Sequence, residues 1–282
     1  MRSKIVPPIE PVDAVAALVC QDKGYQLDNQ QIVAGAFKRT YRAVAGSDIL
    51  AVKIIAGHVD AERARREISA LERCDHPNIV RLLGTGLVQY NGREWVFFIE
   101  EFLAGGTLTA ALESQGPLDL ARGRLLAAAI SSAIDHLANR QIVHRDIKPD
   151  NIMYRSADHP VLVDLGIARH LEATALTADG LLGPHTPGYA APEQLLAERD
   201  YIDWRCDQYS LGVVLSIAMF GVHPATGAPI DGSTRDFVAR RQPPAAEFLR
   251  QASGFAQLVR MVQPWPAQRF ARPHELVAAW GG

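Results

Sequence analysis

His144-Arg145-Asp146-Ile147-Lys148-Pro149-Asp150-Asn151 packs two acids, an amide, a lysine and an arginine into one short run. It follows an apolar pair, Ile142-Val143, and a segment from Leu118 to Asn139 with helical periodicity. Beyond it, Val161-Leu162-Val163 reads as a short apolar strand leading into Asp164-Leu165-Gly166. Leu211 to Phe220 is apolar nearly all round, the pattern of a helix buried inside a domain.

Upstream the pattern is strand-rich. Ile32 to Ala45 and Ile49 to Ile55 read as strands around the turn Ala45-Gly46-Ser47-Asp48. Ile79 to Val88 and Trp95 to Ile99 read as two more, joined at Asn91-Gly92. Between these pairs, Asp60 is an N-cap for a helix over Ala61 to Cys74, with Ala61, Ala64, Ile68 and Leu71 on one face and His76-Pro77-Asn78 as its stop. Ala104-Gly105-Gly106 breaks the chain before a mainly helical remainder. The order predicts an α+β chain in two lobes, with the cleft between them as the natural ligand site. Residues 1–29, Pro-rich and then briefly apolar from Val12 to Cys20, read as an N-terminal extension with one short helix from Asp13. Residues 30–103 form the first lobe and 104–282 the second.

Bulk properties exclude several classes. With 282 residues and a formal net charge of -2, no global basic field draws the chain to nucleic acid or an anionic membrane. Cys20, Cys74 and Cys206 are dispersed and form no C-x-x-C pair, which argues against a disulfide framework or a zinc site and fits a reducing cytoplasm. The N-terminus lacks the apolar core of a signal peptide, and no apolar run approaches the roughly 18 to 20 residues of a membrane span. The chain is expected to be soluble, although a longer natural protein could carry an anchor.

Two charges sit where apolar residues belong. Lys53 lies inside Ile49-Leu50-Ala51-Val52-Lys53-Ile54-Ile55, and a buried ammonium without a partner is costly. Glu67 shares the inward face of its helix with Ala64 and Leu71. Each alone reads as a rim residue, the lysine snorkelling to water. As a pair they neutralise each other across a strand–helix contact and leave the lysine able to present its charge to a phosphate.

The ordered set Ala51-Val52-Lys53, Glu67, His76-Pro77-Asn78-Ile79-Val80, the 144–151 loop, Asp164-Leu165-Gly166, Thr186 to Glu193, Asp207 and Arg269 resembles the eukaryotic-type Ser/Thr protein kinases, the bacterial members above all, over about Ile32 to Trp280. The resemblance implies a bilobal kinase fold and γ-phosphoryl transfer from ATP to Ser/Thr hydroxyls of a protein. Asp146 is then the base, Lys148 steadies the γ-phosphate, and Asn151 and Asp164 supply hard oxygens for Mg²⁺, with Mn²⁺ as the alternative. Lys53, oriented by Glu67, faces the α- and β-phosphates. Val33, Gly35, Thr40, Ala51, Glu101, Leu103 and Met153 line the nucleotide. By the same resemblance His144, Leu71 and Leu165 belong to an apolar spine. Asp207 binds the backbone of the catalytic loop, and Glu193 pairs with Arg269.

The sequence departs from the family in two places. The pattern G-x-G-x-x-G-x-V falls on Val33 to Thr40 and retains only Gly35, although Lys38 and Arg39 add positive charge. This motivates the alternative of a pseudokinase or nucleotide-binding signalling module. Glu100 stands at the gatekeeper position, normally apolar or Thr, and needs a partner that the sequence does not name. Thr177 and then Thr174 are the expected autophosphorylation sites, with Arg145 as the phosphate receiver, whereas Thr186 belongs beside the substrate-docking loop. A small-molecule kinase is a third reading, and the Thr186 to Glu193 segment argues against it.

Overall fold

The computed structural model describes residues 10–34, 38–55, 72, 74–165 and 188–281. The expected helix over 61–74, apart from Glu72 and Cys74, lies outside them, as do Gly35, Glu67, Leu71, Thr174, Thr177 and Thr186. The chain divides into two compact units, 1–73 with 81–102 and 167–180, and 74–80 with 103–166 and 181–282.

In the first unit, helix α1 (Glu10–Lys23) precedes strands β1 (Gln26–Ala34), β2 (Lys38–Ala45), β3 (Asp48–Ile55), β4 (Leu82–Tyr90) and β5 (Arg93–Glu101). The helix starts three residues before the expected Asp13. The single strand expected over 32–45 is divided into β1 and β2, which pair antiparallel. All pairs are antiparallel, in the order β1-β2-β3-β5-β4. Between β4 and β5, Asn91 (φ 50°) and Gly92 (φ 71°) both enter the left-handed region. That makes the two-residue mirror-image turn whose twist matches the flanking strands.

Strand alternation divides the sheet into two faces. Leu50, Val52 and Ile54 of β3 and Trp95, Phe97 and Ile99 of β5 share one core with Val15, Ala16, Val19 and Cys20 of α1. Those four helix positions form one stripe at i, i+1, i+4 and i+5. The helix is tied down at its start as well. Asp13 accepts from Arg39 at 2.9 Å and from the Tyr41 hydroxyl, both on β2. Ala51, Lys53, Phe98 and Glu100 occupy the opposite face by the same alternation.

The second unit is mainly helical: α2 (Leu108–Gln115), α3 (Leu120–Ala138), the hairpin β6 (Ile152–Tyr154) and β7 (Pro160–Leu162), α4 (Pro192–Leu195), α5 (Trp204–Phe220), and the short α6 (Thr234–Ala239), α7 (Ala246–Gln251), α8 (Ala256–Met261) and α9 (Pro273–Ala279). Thr107, Asp119 and Asp203 cap α2, α3 and α5 with side-chain oxygens at 3.1, 2.8 and 2.8 Å from backbone N–H groups. Leu126, Ala127, Ile130, Ala133, Ile134 and Leu137 make the buried stripe of α3. It packs in one core with α5, buried over most of its length and closed by Gly221 in the left-handed conformation (φ 72°). Residues 74–80 come before β4 yet belong to this unit. Ile79 bridges to Leu162, and Asn78 donates from its side chain to the Pro160 carbonyl at 2.9 Å.

Candidate active site

Residues 144–151 connect α3 to β6, and their geometry rests on a residue of α5. Asp207, buried at the start of that helix, accepts from the backbone N–H of His144 and of Arg145, each at 2.8 Å. Burial pushes the Asp207 carboxyl above the usual carboxylate range, and those two N–H groups oppose the shift. Arg145 itself has φ 66°, a conformation that non-glycine residues rarely take. Its carbonyl accepts from Gln194 at 2.9 Å, and Gln194 in turn accepts from the Ala191 N–H at 3.0 Å. The strained residue is therefore fixed on both sides of its peptide by partners from other elements.

The His144 ring is fully buried and works as a spacer. Its Nδ1 accepts from the Asp146 N–H at 3.2 Å, and its Nε2 donates to the Val163 carbonyl at 2.9 Å. That second bond joins the loop to the residue before Asp164, which is itself left-handed at φ 60°. Val163 also donates from its backbone to the Asn151 carbonyl at 2.9 Å. Asp146, Asn151 and Asp164 are thus tied into one network of short bonds.

Within it, Asn151 Nδ2 lies 2.8 Å from the Asp146 carbonyl and 3.0 Å from its Oδ2, and Lys148 Nζ lies 3.2 Å from the same Oδ2. With its nitrogen committed to Asp146, the Asn151 amide has its oxygen for a cation. One amide oxygen and the Asp164 carboxylate suit Mg²⁺, which takes few protein oxygens and completes its shell with water and phosphate. Among the described residues no group of three or more His, Cys, Asp or Glu could hold a metal, so this donor pair does not suit a zinc or calcium cage. Asp150 points elsewhere and accepts from Thr109 at 2.8 Å.

In the first unit, Lys53 pairs in register with Thr40 on one side and Phe98 on the other, and only 8% of it is exposed. Its Nζ lies 2.5 Å from Glu100 Oε2. This is the partner of Glu100 that sequence reasoning lacked. Ala51 is buried beside it. Val33 pairs with Thr40 in the sheet, and the half-buried Glu101 accepts from the Arg81 N–H at 2.9 Å. Leu103 and Met153 pack with Val80, Val161 and Val163 in the second unit.

Behind the 144–151 loop, Glu193 and Arg269 form a bidentate pair at 2.6 and 3.0 Å, both fully buried. The remaining guanidinium N–H groups go to the carbonyls of Gln263, Arg205 and Pro264. All five donors are used, which is what makes so buried a charge tolerable. Gln194 and Thr109 were not singled out from the sequence. An amide three residues after a helix-entry Ala191-Pro192 is the one local signal for Gln194, and Thr109 offered none.

The protein kinase domain family matches residues 27–270. The chain is similar to the calcium/calmodulin-dependent protein kinase type 1 of Macrobrachium nipponense, 33% identical over 67% of this chain and 55% of that protein. It is similar to the DNA damage-responsive serine/threonine-protein kinase RqkA of Deinococcus radiodurans, 36% identical over 68% of this chain and 29% of that protein. The chain therefore spans about half or less of the length of these curated relatives. Among solved structures, Rad53 1-466 in complex with AMP-PNP matches with a TM-score of 0.72 and 25% identity, over 92% of this chain and 66% of that one.

Proposed function

Because the chain belongs to the protein kinase domain family, we propose that it is a Mg²⁺/ATP-dependent serine/threonine protein kinase. The observation that carries this reading is Asp146 Oδ2, held by Lys148 at 3.2 Å and by Asn151 at 3.0 Å on a loop pinned by Asp207. Phosphoryl transfer asks the protein mainly for positioning and charge. Asp146 orients the acceptor hydroxyl and takes its proton as the bond from that oxygen to the γ-phosphorus forms. The bond from the γ-phosphorus to the bridging oxygen breaks, and ADP leaves. Lys148 sets positive charge against the γ-phosphoryl oxygens, and Lys53 against the α- and β-phosphates. Asn151 and Asp164 would hold Mg²⁺, or Mn²⁺ in its place, which when bound neutralises charge on the phosphates.

A lysine two residues after the base accords with Ser/Thr acceptors, as do relatives named serine/threonine-protein kinases. Thr177 and then Thr174 are the proposed autophosphorylation sites, and Thr186 the residue beside the docking loop. None of Cys20, Cys74 and Cys206 is in a disulfide, which supports a cytoplasmic setting. Among the described residues no helix is long and apolar enough to cross a membrane. Incubation with γ-³²P-ATP, Mg²⁺ and serine-, threonine- or tyrosine-containing peptides tests the reading. Label on serine or threonine is expected, whereas label on tyrosine alone, or on nothing, contradicts it.

A further inference from the structure

Glu100 stands on the same sheet face as Lys53. The register sets Lys53 opposite Phe98 and Ala51 opposite Glu100, so the two charged side chains are diagonal neighbours across β3 and β5. The residues are 8% and 9% exposed, and Nζ lies 2.5 Å from Oε2. Both strands are interior to the sheet, β3 flanked by β2 and β5, and β5 by β3 and β4. Ladder bonds on both sides fix the spacing of the two side-chain stems. The next carboxylate, Glu101, goes to the Arg81 N–H instead. A carboxylate this buried is retained only beside a charge that compensates it.

We propose that Glu100 is a positioning residue for Lys53, an anchor within the sheet that sets where the ammonium meets the nucleotide phosphates. The proposal rests on the kinase reading, through the phosphate-binding role given to Lys53. Glu100 is carried on the strand next to that of Lys53, so the ladder bonds that space β3 from β5 also hold the carboxylate beside the lysine. Glu100 therefore keeps the lysine in place whatever the residue at 67 contributes, alongside the other interactions of Lys53. The substitution at the gatekeeper position thereby becomes part of the phosphate-binding apparatus.

The test is Mg·ATP binding by calorimetry, combined with steady-state kinetics on a peptide acceptor. Glu100→Gln is nearly isosteric and removes only the charge. It is expected to raise the Kd and the KM for Mg·ATP at least tenfold, with the KM for peptide unchanged. Glu100→Asp keeps the charge, withdraws it by one methylene, and is expected to show a smaller rise in the same direction. In a Lys53→Met background, Glu100→Gln is expected to change the Kd less than twofold, because the group it positions is gone. A merely structural role would lower kcat through lost folded protein, leave both KM values alone, and add to Lys53→Met. That pattern, or unchanged or tighter Mg·ATP binding by Glu100→Gln, overturns the proposal. A wild-type chain that binds no Mg·ATP overturns the kinase reading along with it, whereas a wild type that binds and a Glu100→Gln variant that binds equally well overturn this proposal alone.

Discussion

Arg145, inside the 144–151 loop, and Asp164, beyond it, hold φ values of 66° and 60°. Such conformations cost roughly 1–3 kcal/mol each and persist where the surroundings over-determine them. Here Asp207, Gln194 and the His144 ring supply the determination. Another buried group makes stability depend on pH. Burial lowers the pKa of His223 to about 4, from the ordinary value of 6.5. Between those values the unfolded chain binds a proton that the folded chain refuses, so stability rises with pH across this window and is lost as pH falls from about 6.5 toward 4. The slope is at most about 1.4 kcal/mol per pH unit for this one ring. Burial lowers His76 and His136 too, so they add to the same trend. Melting temperatures measured from pH 7 to pH 4.5 are expected to fall, and His223→Gln to make the fall shallower. An equally steep fall in the variant would remove His223 from the account.

Helix α1 supplies its sheet with the buried surface that lets the strands carry charge on the other face. Val15 and Ala16 are fully buried and Val19 and Cys20 nearly so, against the aromatic row of β5 and the aliphatic row of β3. Burial pushes the Cys20 thiol up to about 11, which makes it a packing residue with no reactivity near neutral pH. Asp13 draws Arg39 and Tyr41 of β2 to the same helix. Val15→Asp would bury an uncompensated carboxylate in this core and is expected to destabilise the fold by at least about 3 kcal/mol, read as a lowered urea midpoint. A change within about 0.5 kcal/mol would mean that the helix is a loose appendage. The sheet face with Lys53 and Glu100 would then owe nothing to it.

How far the sequence revealed this architecture depended on the range of the interactions. The turn at Asn91-Gly92 and the buried helix around Leu211 to Phe220 are written in neighbouring residues and were readable. So was the loop from His144 to Asn151, because its chemistry is contiguous. The Glu193–Arg269 pair and the grip of Asp207 on the loop came from resemblance, since no local pattern links residues so far apart. The partner of Glu100 was not readable at all: helix periodicity pointed Lys53 toward Glu67, whereas the neighbour across the strands is fixed by register, a property of the assembled sheet. The apolar run from Val12 to Cys20 read only as a short helix in an N-terminal extension, because the surface of β3 and β5 that buries it is distant in sequence. The proposed phosphoryl transfer turns on Asp146. Intact mass after incubation with Mg·ATP should show the wild-type chain gaining whole phosphate increments, while Asp146→Asn, equally folded, gains them at least about a hundredfold more slowly. Equal gain by both proteins, or none by the wild type even with a generic acceptor protein added, would contradict the assignment of Asp146 as the base of a protein kinase.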